Sequence, residues 1–192
     1  AYKGLRKMKK EPVTSWLWVV IDIVHVVGVA MLLRTFLITP HNVDGPSMEP
    51  NFMDNDRVLV WRHPSLKRGD VVILHAPDGS LYIKRIIGLP GDTVTSKDDV
   101  MYVNGKKYDE PYLNSYKTQW ADDNNGLFTQ NFSLSTLKAT NYAKKVPQES
   151  YFVMGDNRPI SKDSRMIGFV KRNKIEGKVV WRYWPLNKMS IY

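Results

Sequence analysis

Ser47 lies in the string GPSMEP, residues 45–50, between Pro46 and Pro50. A serine hydroxyl becomes a useful nucleophile only when a nearby group takes its proton. No histidine lies within five residues on either side. The string Gly45-Pro46-Ser47-Met48-Glu49 lacks the last glycine of the G-x-S-x-G elbow, and the chain lacks the strand-helix alternation that goes with that elbow. His41, His63 and His75 stay open as triad partners, because triads assemble in space and not in sequence. None of the three has a distinctive setting, and each reads better as a structural or exposed residue than as a triad partner.

A lysine is the alternative base. In LYIKRIIG, residues 81–88, strand alternation places Tyr82, Lys84 and Ile86 on one face and Ile83, Arg85 and Ile87 on the other. Both faces are otherwise apolar, so the strand is expected to be covered on both sides. Lys84 or Arg85 must then meet apolar surroundings, unless its stem is buried and its charge reaches water. Burial lowers a lysine's pKa, and a lysine tuned to roughly 7–8 is a competent general base. Arginine stays protonated and cannot serve. The string MGDNRPISKDSRMIGFV, residues 154–170, crowds Asp156, Arg158, Lys162, Asp163 and Arg165 together. It reads as a turn and a charged loop, and Ser161 and Ser164 add hydroxyls that could orient a buried amine.

These residues need a frame. The run WLWVVIDIVHVVGVAMLL, residues 16–33, is interrupted only by Asp22 and His25 and is long enough to span hydrocarbon as a helix. Asp22 and His25 share one helix face, where they read as a bonded pair or as partners of a neighbouring helix. Lys3, Arg6, Lys7, Lys9 and Lys10 oppose only Glu11 ahead of this run, giving +4 of the chain's +9. That basic flank predicts a cytoplasmic N-terminus and a bulk domain on the other side. RTFLITPHNV after the run holds no A-x-A-like cleavage site, so the expectation is an uncleaved anchor over residues 16–38 behind a basic flank over 1–15.

Beyond residue 40, short β-branched and aromatic runs alternate with turn signals such as PDG, LPGD and VNGK. Residues 58–61, 71–75, 81–89, 101–103, 151–154 and 179–184 read as strands. The fold class is mainly β, with a core over residues 39–111 and 151–192 whose strands close or pack to hide their edges. Residues 112–150 are polar and weakly patterned and read as an insertion, a small cap. The chain has no cysteine, which excludes disulfides, thiolate metal sites and a cysteine nucleophile. Histidine spacing offers no metal site, and no nucleic-acid-binding motif accompanies the positive charge.

In order and spacing, the apolar run, GPSMEP, YIKRIIGLPGD and GDNRPISKDSR resemble bacterial type I signal peptidases, in the compact single-anchor form of Gram-positive bacteria. The resemblance covers most of the chain outside residues 112–150. It implies that Ser47 is the nucleophile, Lys84 the general base, Ser161 the hydroxyl that orients the lysine, and Asp163 with Arg165 a supporting ion pair. The Ser47 N–H would donate to the oxyanion. Gly45 replaces the serine that some members place there, so a second donor must come from elsewhere. Val43, Met48, Phe52, Val58, Tyr82 and Ile83 would line shallow pockets for small side chains, with plain core packing the competing reading for each. The substrate would bind extended, as an added strand.

The implied activity is removal of signal peptides from exported preproteins after small-x-small sites, with no metal or other cofactor. The implied partners are those preproteins and the lipid bilayer. Nine residues separate Ile38 from Ser47, a reach of at most about 30 Å, which keeps the nucleophile near the outer membrane face. Three rivals differ in class: a self-cleaving repressor with the same dyad, a non-catalytic binder of signal peptides, and an anchored module for anionic polymers. The apolar run argues against the first, and the presence of both Ser47 and Lys84 against the second.

Overall fold

The structure, a computed structural model, describes residues 15–192 apart from residue 125. The basic flank expected over residues 1–15 therefore lies, but for Ser15, outside the described residues. Two compact units divide the chain, Ala1–Leu37 and Ile38–Tyr192.

The first unit is the helix α1, Ser15–Phe36. Every described side chain from Trp16 to Leu32 is exposed, on all sides of the helix. The His25 Nδ1 contacts the Ile21 carbonyl at 2.9 Å, one turn back along the helix. Among the described residues, no helix is long and apolar enough to cross a membrane.

Among the described residues the second unit holds twelve strands: β1 (Ile38–Asn42), β2 (Arg57–Trp61), β3 (Val71–His75), β4 (Leu81–Gly88), β5 (Val94–Lys97), β6 (Val100–Val103), β7 (Lys106–Tyr108), β8 (Phe132–Ser133), β9 (Ser150–Met154), β10 (Val170–Lys171), β11 (Ile175–Trp184) and β12 (Ser190–Ile191). Two short helices join them, α2 (Asn114–Asn124) and α3 (Ser164–Ile167). Every strand pair is antiparallel. The larger sheet runs β1-β2-β11-β3-β4-β9-β10, with β12 added on β11, and the smaller runs β7-β6-β5-β8.

The sequence reading finds β2, β3, β4, β6, β9 and the second half of β11. It passes over β1, β5 and β7, and over the two-residue strands β8, β10 and β12. These are too short or too polar to carry a period-2 signal, and their partners hold them extended. Residues 112–150 also supply part of the core. Leu113, Phe128, Phe132, Leu134 and Val146 are buried there, and β8 extends the smaller sheet.

Strand β4 lies inside the larger sheet, between β3 and β9. From Ile83 to Gly88 it is buried on both faces, as its doubly apolar pattern predicts. It pairs with β3 along Leu81–Arg85, but with β9 only from Arg85 to Gly88. The Leu81–Lys84 half therefore has a strand on one side only, and its other edge is free to bond something else.

Candidate active site

The turn after β1 presents Ser47. Gly45 takes φ +79°, a left-handed conformation cheap only for glycine, and its N–H donates to Asp54 Oδ1 at 2.7 Å. Met48 and Phe52 follow in a tight turn, the Phe52 N–H bonding the Met48 carbonyl at 3.0 Å, and both side chains are fully buried. A second loop grips the same turn from across the molecule. Asn157 donates its backbone N–H to the Ser47 carbonyl and its side-chain amide to the Pro46 carbonyl, each at 3.1 Å. Gly155 makes this approach possible. A Cβ there would stand 2.1 Å from Ser161 Oγ and 2.5 Å from the Ser47 carbonyl oxygen.

Lys84 reaches this turn from β4. Its Nζ lies 2.8 Å from Ser47 Oγ and 2.8 Å from its neighbour's carbonyl, Ile83 O. The residue is only 3% exposed. Burial lowers its pKa from 10.5 to about 8, against the opposing pull of the Asp163 and Asp156 carboxylates. A lysine with that pKa is largely protonated at neutral pH but has an accessible neutral form, the one able to accept a proton.

Buried charges hold the walls. Arg85 forks onto Asp156 at 2.8 and 2.6 Å and lies 4.0 Å over the ring of Tyr112. Asn51 donates to the same carboxylate at 2.9 Å. Arg158 pairs with Glu110, both buried, and donates to the Gly155 carbonyl at 3.0 Å. Asp163 accepts the Gly155 N–H at 3.0 Å and pairs with Arg165 at 2.8 Å, and Arg165 reaches the Arg158 carbonyl at 2.7 Å. Paired in this way, buried charges satisfy one another, and the loop from Gly155 to Arg165 is held at many points.

The expected residues distribute unevenly. Ser47 and Lys84 meet directly. Asp163 and Arg165 form an ion pair at 2.8 Å. Ser161 is buried, but its Oγ has no hydrogen-bond partner, and the lysine's bonds go to Ser47 and Ile83 instead. Ser164 is also buried and accepts the Val153 N–H at 2.9 Å. A groove of about 680 Å³ runs past the Ser47–Lys84 contact. Tyr82 and Ile83 line it, joined by Asn42, Asp44, Ile73 and Ile160. Val43, Met48, Phe52 and Val58 lie in the buried cluster beneath, packed with Ile73, Ile83 and Val179. They can shape the floor of the groove through Ile73 and Ile83, which belong to both.

His41 also lines the groove, but its Nε2 is bonded to Glu176 at 3.0 Å. His63 and His75 line a different cleft. Among the described residues, no cluster of His, Cys, Asp or Glu could hold a metal ion. Sequence reasoning missed Asn157 and Gly155 as grips on the serine turn, and Glu110 as the partner of Arg158. The local signal for Gly155 and Asn157 is the turn GDN, which names a bend but not what the bend touches.

The arrangement suits acyl transfer: a nucleophile, an adjacent base with an accessible neutral form, and a free strand edge for an extended chain. Comparison with known proteins points the same way. Residues 15–184 match the family described as signal peptidase, peptidase S26. Signal peptidase IB of Staphylococcus aureus strain COL is 40% identical over 189 residues, covering 95% of each chain. Signal peptidase I of Bacillus caldolyticus is 40% identical over 190 residues, covering 97% of this chain and 98% of the relative. The crystal structure of a signal peptidase I from Enterococcus faecalis V583 is similar with a TM-score of 0.57 and 45% identity, covering 60% of this chain and 97% of that one.

Proposed function

The chain belongs to the type I signal peptidases of the peptidase S26 family, and on that footing we propose that it is a membrane-anchored Ser-Lys endopeptidase that removes signal peptides from exported preproteins. The observation that carries the proposal is the 2.8 Å contact between Ser47 Oγ and the buried Lys84 Nζ.

The substrate binds extended along the free Leu81–Lys84 edge, its small side chains facing the groove floor. Neutral Lys84 takes the Ser47 proton as Oγ attacks the scissile carbonyl. The Ser47 N–H donates to the oxyanion; losing a donor of this kind costs about 3–4 kcal/mol. The protonated amine then passes its proton to the leaving nitrogen, and the peptide bond breaks to leave an acyl ester on Ser47. A water molecule gives a proton to Lys84 and attacks the ester, and the proton returns to Ser47 Oγ as the acid leaves. Ser161 serves as the hydroxyl that steadies the amine, since its partnerless Oγ has the capacity to accept an N–H. Asp163 and Arg165 hold the loop that carries it.

Residues 16–38 are proposed as a single-pass anchor, with the N-terminus cytoplasmic and the β unit on the far side. An apolar helix exposed all round favours an apolar solvent, which supports this reading. The β core is proposed as residues 39–111 and 151–192, with residues 112–150 as an insertion that caps it and lends it buried side chains.

The test incubates the detergent-solubilised full chain with a precursor carrying a small-x-small site. Ser47→Ala and Lys84→Met should each abolish cleavage while the precursor still binds. Sustained turnover by Lys84→Met would remove lysine from the base role, and unchanged export processing by Ser47→Ala would favour a binding module.

A further inference from the structure

Ile73 and Ile83 are paired directly across β3 and β4, so they share the face that forms the groove floor. In an extended chain, alternate side chains point to opposite faces. A substrate strand whose two small residues lie on that floor therefore sends the residue between them to the other face of β4. That face carries Tyr82 and Lys84.

Charge gathers on the Tyr82 side. Asp78 lies in the turn between β3 and β4, and Lys162 in the loop between β9 and α3. The Lys162 Nζ donates to Asp78 Oδ2 at 2.9 Å, and the Tyr82 hydroxyl donates to the same oxygen at 2.6 Å. The Ser80 N–H donates to Oδ1 at 3.1 Å. These bonds hold the Asp78 carboxyl well below the usual carboxylate range and raise the Lys162 pKa, so both groups stay ionised at neutral pH. The Lys162 ammonium stands 5.8 Å from the centre of the Tyr82 ring.

Of the ionised groups here, Lys162 is the one placed to meet a substrate side chain. It lines the groove and Asp78 does not. Its ammonium has three N–H donors, and Asp78 takes one. Its side chain is 51% exposed. Lys84, the other lysine on the groove lining, is committed to Ser47 and Ile83. Asp44 lines the groove from the segment before the serine turn, and His41 is held by Glu176.

We propose that Lys162 determines specificity at the middle residue of the small-x-small site, favouring an acidic side chain there over a basic one, with Asp78 and Tyr82 holding its ammonium in place. The inference rests on the extended substrate pose and the Ser-Lys chemistry proposed above, and it assigns a contact to the position that the floor leaves open. Exposure limits its size: a cross-strand or surface ion pair is worth up to about five-fold in a rate or binding ratio.

The test is a competition assay with the detergent-solubilised full chain and three precursors that differ only in the middle residue, which is Glu, Gln or Lys. Competition reads the ratio of kcat/KM values, in which any loss common to the three precursors cancels. Wild type should favour the Glu precursor over the Lys precursor by about two- to five-fold, with Gln between them. Lys162→Glu should reverse the order, and Lys162→Met should bring the three together. Equal cleavage of the Glu and Lys precursors by wild type, or an unchanged ratio in Lys162→Glu, would overturn the inference and leave the Ser-Lys reading standing, because the precursors are still cut. A wild-type preference for the Lys precursor would also overturn it, by giving the selection to Asp78. Failure of wild type to cut any of the three would bring down the Ser-Lys reading and this inference with it.

Discussion

Lys84 combines two opposed demands on one side chain. In the proposed mechanism its neutral form is the base, and burial makes that form accessible by lowering the pKa from 10.5 to about 8. The fraction of active enzyme should therefore rise with pH. Plotted as a logarithm, kcat/KM should climb with unit slope below about pH 8 and level off above it. A flat profile from pH 6 to 9, measured with a fixed precursor, would show that another group limits the reaction. The same shift has a stability consequence. Between the two pKa values the unfolded chain binds more protons at this site, so the folded state gains stability as pH rises from about 8 to 10.5. Below pH 8 the full penalty applies, roughly 3 kcal/mol for a shift of this size. Lys84→Met should then be inactive yet up to about 3 kcal/mol more stable at pH 7, with the gain fading towards pH 10.5. Urea unfolding at the two pH values checks both the sign and the fading.

At the scale of elements, the serine turn and the Gly155–Arg165 loop form one assembly only because the backbone of one touches the other. A methyl group at residue 155 has no room beside the Ser47 carbonyl, and a backbone oxygen cannot swing aside as a side-chain tip can. Gly155→Ala should cost about 1–3 kcal/mol in stability through overpacking. It should also lower kcat more than it raises KM, since it moves Ser47 Oγ against Lys84 and leaves the groove lining in place. Steady-state kinetics beside thermal unfolding would check this, and wild-type kcat would mean that the loop yields without disturbing the serine. The resemblance points to Ser47, Lys84, Ser161, Asp163 and Arg165 as site residues. Local pattern could not show that Asn157 binds two carbonyls of the serine turn 110 positions earlier, or that Glu110 answers Arg158. Such contacts join segments distant in the chain, and a residue's own neighbours carry no record of them.

For the whole molecule, the balance lies between an apolar helix exposed on every side and a β unit with its own buried clusters. On the proposed anchor reading the first lies in lipid, while the second folds around its own core. The full chain should therefore stay with the membrane pellet through an alkaline wash that strips peripheral proteins, and its appearance in the supernatant would defeat the anchor reading.

Length, hydropathy and period 2 in the sequence determined a mainly β unit behind an apolar run, because burial of alternate side chains is a local rule. The doubly apolar faces of LYIKRIIG likewise determined that a cation must meet apolar surroundings, and left open whether its charge reaches water. Only the tertiary structure decided that both Lys84 and Arg85 are buried, each with a different partner: Arg85 with Asp156, and Lys84 with Ser47. The physical reason is that a pKa and a hydrogen bond depend on what crosses the space around a group, and strands far apart in the chain fill that space.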